Sequence, residues 1–365
     1  MQLLTEKSHI FATPIMKHKG HIRIAFIGLG DRGRKALQLM LPVEGAVVTA
    51  LCDLSTDNVC EAKALMATLP HTPDSPAMPR CADGPTAFMS ACRAEDVDLV
   101  YICSDWASHT PIAVQAMRNG KHVAIEVPAA TTMADIQLLM ATSRQYRREC
   151  FMLENTCFEQ QVREAVAAIR RGAIGAMAHA EGSYYHHLDE RWNPWRLDIN
   201  RQQRGDLYPT HALGPICMAM DIGHSDRLQT LVSMDSAALT GPLIYKEHTR
   251  TEAPDFQNGD HTTTLIRTAL GRTILLKHDV MTRQPYERQL TFIGTEGRIT
   301  LNDTGRPSHD EMTTAMNRHL IDSLLNGSPL DISVQDMATW CAAIPLSQAS
   351  ISGGFVPVPY PDFYA

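Results

Sequence analysis

In the first 155 residues, continuous apolar runs alternate with segments that have the mixed polar and apolar pattern of helices. Continuous apolar runs are typical of buried parallel strands, and they occur at 21–27, 46–54, 98–104, 121–127 and 151–155. Helices are expected between these runs, at about 31–40, 57–69, 111–119 and 131–148. The alternation predicts an α/β domain at 1–155, with a doubly wound parallel sheet that follows an N-terminal arm at 1–20.

The pattern changes after residue 155. One helix is expected at 159–171, and strands then dominate, at 177–185, 228–236, 261–269, 272–280 and 289–294. Leu270-Gly271 indicates a hairpin, and the last helices are expected at 310–326 and 335–350. We therefore predict a C-terminal α+β domain at 156–365, built on a mostly antiparallel open sheet. Its uncovered face would suit a second copy of the chain, so a homo-oligomer is expected.

A glycine motif joins the first strand to the first helix. Gly28, Gly30 and Gly33 form G-x-G-x-x-G, and Asp53 ends the next strand twenty residues later. In this context the glycines allow a tight turn and close approach of a pyrophosphate, and the helix that starts near Asp31 directs its amides at the phosphates. Because Asp53 would bind the adenosine ribose and repel a 2′-phosphate, the motif predicts NAD rather than NADP.

Composition narrows the class of protein. The chain has 365 residues and a net charge of −7, which argues against nucleic acid or an anionic membrane as a partner. Nine cysteines without a C-x-x-C motif indicate reduced thiols. The start of the chain does not have the pattern of a signal peptide, so a cytoplasmic protein is expected unless an export signal has been removed. His186-His187 lacks a third ligand at metal-site spacing, and we expect no metal.

The glycine motif, Asp53, Ser104 and Glu126-Val127-Pro128 together resemble the Gfo/Idh/MocA oxidoreductase family. In that family the position of Val127 is usually a lysine that serves as the acid–base partner of the hydroxyl being oxidised. Valine cannot transfer a proton, so the ordinary sugar-dehydrogenase mechanism is not expected here.

A narrower resemblance explains this departure. The segment from Gly205 to Pro215, which contains Tyr208-Pro209-Thr210-His211, resembles glycoside hydrolase family 109. Further blocks in register also resemble that family, namely 104–109, 126–128, 153–156, 258–260, 277–280 and 283–286. Two departures are that Ala212 replaces the usual glycine and that the loop between Tyr185 and Asp206 is shorter than in typical members. Members resemble NAD-dependent α-N-acetylgalactosaminidases.

The resemblance implies a set of site residues. The glycines, Asp31 and Asp53 are already expected to bind the cofactor. The resemblance implies that the cofactor is also bound by Arg32, Ser104, Trp106, His109, Glu126, Val127, Asn155, Trp195 and Arg196. For the sugar, it implies Tyr185, Arg204, Tyr208, His211 and Tyr286. Tyrosine and histidine are the side chains in this set that can move protons, so His211, Tyr208, Tyr185 and Tyr286 are the catalytic candidates. Each of them also has a purely structural interpretation, as core, cap or turn residue.

The function that the resemblance implies is glycoside hydrolysis by a redox-neutral cycle of oxidation, elimination, addition and reduction with bound NAD. We expect His211 to act as the base at the C3 hydroxyl. Which tyrosine serves C2 and which the leaving group stays open. One alternative is an NAD-dependent sugar or cyclitol dehydrogenase with net turnover of the cofactor. Another is an NAD-binding protein without catalysis.

Overall fold

The structure is a computed structural model, and it describes residues 20–69, 78–188, 191–302 and 308–365. The predicted N-terminal arm thus lies outside the described residues, except for Gly20. The chain forms two compact units. The first comprises the chain up to Ala130, Ala134–Leu153 and His309–Met337, and the second comprises Thr131–Met133, Glu154–Ser308 and Ala338–Ala365.

The first unit contains a six-stranded parallel sheet with the strand order β3-β2-β1-β4-β5-β6. Its strands are β1 (Ile22–Ile27), β2 (Ala46–Asp53), β3 (Arg80–Asp83), β4 (Leu99–Ile102), β5 (His122–Ile125) and β6 (Cys150–Met152). β1, β2, β4, β5 and β6 are almost entirely buried, which explains why their sequences are continuous apolar runs. The predicted doubly wound sheet is confirmed, and the order reverses between β1 and β4, where such sheets bind nucleotides.

Helices connect these strands. They are α1 (Asp31–Met40), α2 (Thr56–Thr68), α3 (Ala87–Arg93), α4 (Trp106–Arg118) and α5 (Met133–Tyr146). α4 begins five residues before the predicted start at Pro111, because the Asp105 side chain caps it by accepting the Ser108 amide at 3.1 Å. Trp106 and His109 are therefore helical residues.

The second unit contains a seven-stranded mixed sheet with the order β12-β11-β7-β10-β9-β8-β13. Its strands are β7 (Met177–Tyr185), β8 (Leu228–Asp235), β9 (Thr262–Thr268), β10 (Thr273–Asp279), β11 (Leu290–Gly294), β12 (Arg298–Leu301) and β13 (Val358–Pro359). Its pairs are antiparallel except for β7 with β10. The predicted hairpin joins β9 to β10, and Gly271 has the positive φ of 87° that such a turn favours.

The remaining helices are α6 (Gln160–Arg170), α7 (Pro194–Gln202), α8 (Thr210–Ala219), α9 (Gly241–Thr249), α10 (His309–Asn326) and α11 (Val334–Ser352). α8 packs on the second sheet at Gly182 of β7, where a Cβ atom would lie only 2.5 Å from Ala212 Cβ. This close approach holds the first turn of α8, which contains His211, against the end of β7. Among the described residues, no helix is long and apolar enough to cross a membrane.

The compact units differ from the contiguous division at residue 155 in one respect. α10 belongs to the first unit, where Lys35 of α1 pairs with Asp310 at 2.6 Å and Tyr101 donates a hydrogen bond to Asn317 at 3.2 Å. Helical periodicity locates α10 in the sequence, but it does not reveal which sheet the helix covers. The structure therefore corrects the assignment of 309–337 to the C-terminal domain.

Candidate functional site

The glycine motif forms a closely packed turn at the ends of β1 and β4. Gly28 has a φ of +88°, and a Cβ atom there would lie 2.5 Å from the Ser104 backbone nitrogen. A Cβ atom on Gly33 would lie 1.9 Å from the Gly28 carbonyl oxygen. Both positions therefore require glycine. A Cβ atom on Gly30 would meet no described atom within 4 Å, so the space beside the start of α1 is open.

This open space fits a dinucleotide phosphate. Gly30 precedes α1, and within the described part of the chain no side chain caps that helix terminus. The free amides and the helix dipole favour an anion there. Two observations therefore fit a pyrophosphate at this turn. The turn requires glycine for steric reasons, and the start of the helix is not capped.

Asp53 is fixed above this turn. Its carboxylate accepts hydrogen bonds from the Leu29 amide, from the Ser55 amide at 2.8 Å and from the Asn58 side chain at 3.0 Å. A carboxylate has about four acceptor positions, so at least one is left for a ribose hydroxyl. Its negative charge at this place is consistent with the predicted discrimination against a 2′-phosphate.

Arg32 and Glu126, both predicted to contact the cofactor, form an ion pair at 2.6 Å. Burial opposes the charge on Arg32, but the Glu126 carboxylate raises the pKa of Arg32 above its usual value. Each of the two therefore has a partner within the protein. Val127, next to Glu126, precedes Pro128 in a cis peptide bond.

His109 is completely buried and links two loops of the first unit. Its Nδ1 lies 3.0 Å from the Pro128 carbonyl oxygen, and its Nε2 lies 3.1 Å from the Ser104 carbonyl oxygen. Burial lowers the pKa of His109. Trp106 is also buried, at 6 % exposure, and the Ser104 hydroxyl accepts a hydrogen bond from Ser108 at 2.7 Å. These three predicted cofactor residues thus shape the loops that follow β4 and β5.

The second unit contains an acid–base pair formed by the buried Glu154 and the partly exposed His211. His211 Nδ1 lies 2.8 Å from Glu154 Oε1, and the Thr156 hydroxyl donates to the same oxygen at 2.6 Å. Burial raises the pKa of Glu154, but His211 and these hydrogen bonds outweigh it and lower the pKa below its usual value. Because a carboxylate only accepts, the proton of neutral His211 lies on Nδ1 and leaves Nε2 as the basic nitrogen.

Aromatic rings surround His211. The Tyr184 ring centroid lies 4.7 Å from that of His211, and Tyr208 lies 5.9 Å from both Tyr184 and His278. Tyr286 is 49 % exposed and presents its ring edge-on to Tyr184 at 6.4 Å. We call these five residues the aromatic cluster. It can provide a stacking surface and several proton-transfer groups in one place.

Tyr185 is outside the aromatic cluster. Successive side chains of a strand point to opposite faces, and β7 buries Ala180, Gly182 and Tyr184 on the face covered by α8. The Tyr185 ring instead lies 5.6 Å from His261. The structure therefore brings Tyr184, rather than the predicted Tyr185, to His211.

Tyr208 is held by the residues before it. Its amide donates to Asp206 at 3.2 Å, the Gly205 amide donates to Asn258 at 3.1 Å, and the Asp206 amide donates to Ser347 at 3.0 Å. Burial raises the pKa of Asp206 to about 7. Burial also raises the pKa of Tyr208, while the charge of Arg196 and its hydrogen bond with Tyr208 oppose that rise.

Four other predicted positions lie in the second unit. Arg204 makes a two-pronged ion pair with the buried Asp235, at 2.8 and 2.9 Å, so its charge is neutralised there. The Arg196 guanidinium lies 4.5 Å from the centre of the Trp195 ring, near the start of α7. Asn155 is buried directly after Glu154. Asp235 occupies one edge of the Arg204 guanidinium, and the contact of Arg204 with a sugar stays a prediction.

Sequence reasoning missed Glu154, Tyr184 and His278. The sequence of β7 did indicate Tyr184. Side chains alternate between the two faces of a strand, and Tyr184 shares a face with the small residues Ala180 and Gly182, which allow a helix to pack there. Glu154 and His278 lie in the blocks 153–156 and 277–280, which were noted without a role. A lone acid in an apolar strand carries no signal of its partner, since the partner is 57 residues away in the chain.

Comparison with known proteins agrees with this geometry. Residues 22–153 match the family model described as "Oxidoreductase family, NAD-binding Rossmann fold". Residues 158–306 match the one described as "Glycosyl hydrolase 109, C-terminal domain". Glycosyl hydrolase family 109 protein 1 of Phocaeicola vulgatus is 37 % identical over 94 % of this chain and 84 % of its own length.

Solved structures show the same fold. Myo-inositol dehydrogenase from Lactobacillus casei, in complex with NAD(H) and myo-inositol, has a TM-score of 0.70 at 17 % identity, covering 94 % of this chain and 100 % of its own. Levoglucosan dehydrogenase, in complex with NADH and L-sorbose, has a TM-score of 0.76 at 15 % identity, with the same coverage. With an NAD-binding Rossmann fold, the family's C-terminal domain and relatives at this identity, the chain belongs to glycosyl hydrolase family 109.

Proposed function

We propose that the protein is a glycosidase that uses bound NAD without net redox change, with α-N-acetylgalactosaminides as substrates. The pair formed by the buried Glu154 and the partly exposed His211 is the observation that carries this proposal. Gly28, Gly30, Gly33, Asp31, Arg32 and Asp53 would hold the dinucleotide. When bound, NAD supplies a hydride acceptor and donor for a carbon of the sugar.

The residues of the second unit supply proton transfer. Glu154 holds the His211 ring so that Nε2 can take the proton of the C3 hydroxyl. The ketone formed at C3 makes the C2 proton acidic. Loss of that proton allows the C1–O bond to break, and addition of water followed by reduction restores the sugar. The Tyr184 and Tyr208 ring centroids lie 4.7 and 6.4 Å from that of His211, and Tyr286 lies beside Tyr184, so these tyrosines are the candidates for the other proton transfers.

The departures from a dehydrogenase site support the same proposal. Val127 stands where a lysine would be the acid–base group, and it can neither donate nor accept a proton. In this proposal His211, which lies on α8, is the acid–base group instead. A base at His211 is compatible with oxidation at C3 and leaves room for groups that serve C2 and the leaving oxygen.

The deciding experiment follows chromogenic glycosides in heavy water. Hydrolysis of the α-N-acetylgalactosaminide should place deuterium at C2 of the released sugar, and it should stop when NAD is removed. Full activity without NAD would contradict the proposal. His211→Ala should reduce turnover by about 10²-fold or more, the scale of general acid–base help, with NAD binding and thermal stability retained.

A second candidate is a sugar or cyclitol dehydrogenase, since the myo-inositol and levoglucosan dehydrogenases share the fold. The Glu154–His211 pair could serve such an oxidation as well. Accumulation of NADH during incubation with NAD⁺ and free sugars or cyclitols would favour this candidate over the glycosidase.

We also propose that a second copy of the chain covers the outer face of the second sheet. Met234 and Leu265 on that face are 58 % and 43 % exposed, and Leu265 is paired in register with Val232 and Leu275. Exposed apolar side chains on neighbouring strands suit a self-association surface. Light scattering of the wild type and of Leu265→Lys should show an oligomer and its dissociation, and a monomeric wild type would contradict the proposal.

A further inference from the structure

Arg288 and Glu159 form an ion pair that is almost completely withdrawn from solvent. Arg288 Nη1 lies 3.3 Å from Glu159 Oε2, and the two side chains are 6 % and 0 % exposed. Pairing recovers only part of the free energy that is needed to remove two charges from water, so apolar side chains of similar volume would serve stability about as well. The pair is therefore better explained by the place at which it holds a charge.

Backbone pairing places Arg288 opposite Tyr184. β11 and β7 are antiparallel, and ahead of β11 the pairing continues through Tyr185 and Glu287, whose amides each donate to the other's carbonyl oxygen, at 2.8 and 2.9 Å. Tyr184 and Arg288 are the next pair, in the position without mutual hydrogen bonds, where facing Cα atoms lie about 4.5 Å apart and the side chains share a face. The Arg288 side chain thus lies on the face that carries the aromatic cluster.

One short segment supplies the carboxylates for two basic residues on this face. Glu154 pairs with His211, and Glu159 pairs with Arg288. A single 3₁₀ turn separates the two acids. Tyr184 neighbours both pairs, since it faces Arg288 across the strands and its ring centroid lies 4.7 Å from that of His211. The segment therefore fixes the charges on two sides of one phenol.

The charge of Arg288 acts on that phenol. The ionisable groups that face the Tyr184 ring are Glu154, His186, Tyr208, His211, His278, Tyr286 and Arg288. Burial raises the pKa of Tyr184 well above its usual value, and the nearby tyrosines and Glu154 raise it further, while the charge of Arg288 lowers it. In a buried place such a charge is weakly screened, so its effect on a phenolate is large.

We propose that Arg288, held by Glu159, is a positioning residue whose fixed positive charge stabilises the phenolate that Tyr184 forms when it gives up its proton. This rests on the proposed glycosidase function, in which Tyr184 is a candidate for proton transfer. Arg288 acts through Tyr184 and not on the sugar. Glu159 keeps the pair neutral as a whole, so the site gains a directed charge without a net charge. The proton that Tyr184 releases in one half of the cycle returns to it in the other.

The first test measures the phenol directly and needs no turnover. A fluorinated tyrosine in place of Tyr184 ionises at lower pH than tyrosine, and fluorine NMR of the NAD-bound protein follows its titration. Arg288→Met should raise the pKa of this group by about one pKa unit or more, the scale of a lost opposite charge. Glu159→Gln should lower it, because the variant removes a negative charge and leaves the positive one in place.

The opposite signs separate an electrostatic role from a structural one, since loosening of the site would move both variants in the same direction. Arg288→Lys keeps the charge and should stay closer to the wild type than Arg288→Met. The matched control is Arg272→Met, which breaks the ion pair with the buried Asp226 at the other end of β10 and should leave the pKa unchanged. An unchanged pKa in Arg288→Met, or a raised one in Glu159→Gln, would overturn the proposal.

The second test is kinetic. Arg288→Met should reduce kcat on the chromogenic glycoside by about 10-fold with little change in KM, since one pKa unit is a tenfold change in the proton equilibrium. Arg288→Lys should restore most of that loss. Should Arg288→Met fail to fold, Glu159→Gln and Arg288→Lys still decide the question through the titration. A wild type that hydrolyses no glycoside would refute the proposed function, whereas the titration would still show whether Arg288 acts on Tyr184.

Discussion

Glu154 Oε1 lies 2.8 Å from His211 Nδ1, and the Glu154 side chain is completely buried. This pair joins the second residue after β6 to the first turn of α8. It resembles the carboxylate–imidazole arrangement in which the acid sets the tautomer and orientation of a catalytic base.

Glu154→Gln should therefore reduce turnover by about 10²-fold or more, since the amide no longer holds the Nδ1 proton by charge. The KM should change little, because Glu154 is buried and acts through His211. Steady-state kinetics with the chromogenic glycoside would measure both. Turnover within a few-fold of the wild type would show that the carboxylate does not orient the base.

Replacing each of the two neighbouring tyrosines should show which face of β7 carries the catalytic side chain. Tyr184→Phe removes the hydroxyl that contacts His186, whereas Tyr185→Phe removes one beside His261, outside the aromatic cluster. Because Tyr184 lies beside His211, we expect the first change to reduce turnover of the chromogenic glycoside by roughly 10²-fold in steady-state kinetics, and the second to have a much smaller effect. The opposite order would restore the sequence-based choice of Tyr185.

Asp53→Ser should weaken binding of NAD and relax discrimination against NADP. The carboxylate would accept from the ribose and repel a 2′-phosphate, and serine does neither to the same extent. Titration calorimetry with both dinucleotides would measure the effect, which we expect to be about 10-fold on their affinity ratio. Equal affinity of the wild type for NAD and NADP would refute this role. Ser55→Ala, which alters the adjacent helix cap, serves as the structural control.

Asp206→Asn should change how stability depends on pH. Burial raises the pKa of Asp206 to about 7 in the folded protein, whereas an unfolded aspartate titrates near its usual value, about 4. The folded state therefore binds the proton more tightly, and stability conferred by this group is lost as pH rises from about 4 to about 7.

Asparagine keeps the acceptor for the Tyr208 amide but does not ionise. We expect the variant to gain melting temperature relative to the wild type at pH 8 and to show little difference at pH 4. Thermal unfolding at both pH values would test this. A difference that is the same at both would mean that Asp206 does not ionise in this range.

Local sequence determined most of the fold. The glycine turn, the apolar parallel strands and the β9–β10 hairpin follow from steric limits on φ, from burial on two faces and from turn geometry, which all act between residues close in the chain. The family, too, could be recognised from motifs in fixed order, because such blocks keep their spacing.

Tertiary structure decided which side chains meet. Reasoning from the sequence chose Tyr185 over Tyr184, showed no partner for Arg204, and left Glu154 without a role. Each outcome depended on a partner far along the chain: α8 covers one face of β7, Asp235 neutralises Arg204, and His211 pairs with Glu154. α10 likewise joined the first unit through Lys35 and Tyr101. Such contacts are set by the packing of whole elements, and the period of a strand or helix fixes only which residues share a face, not what covers that face.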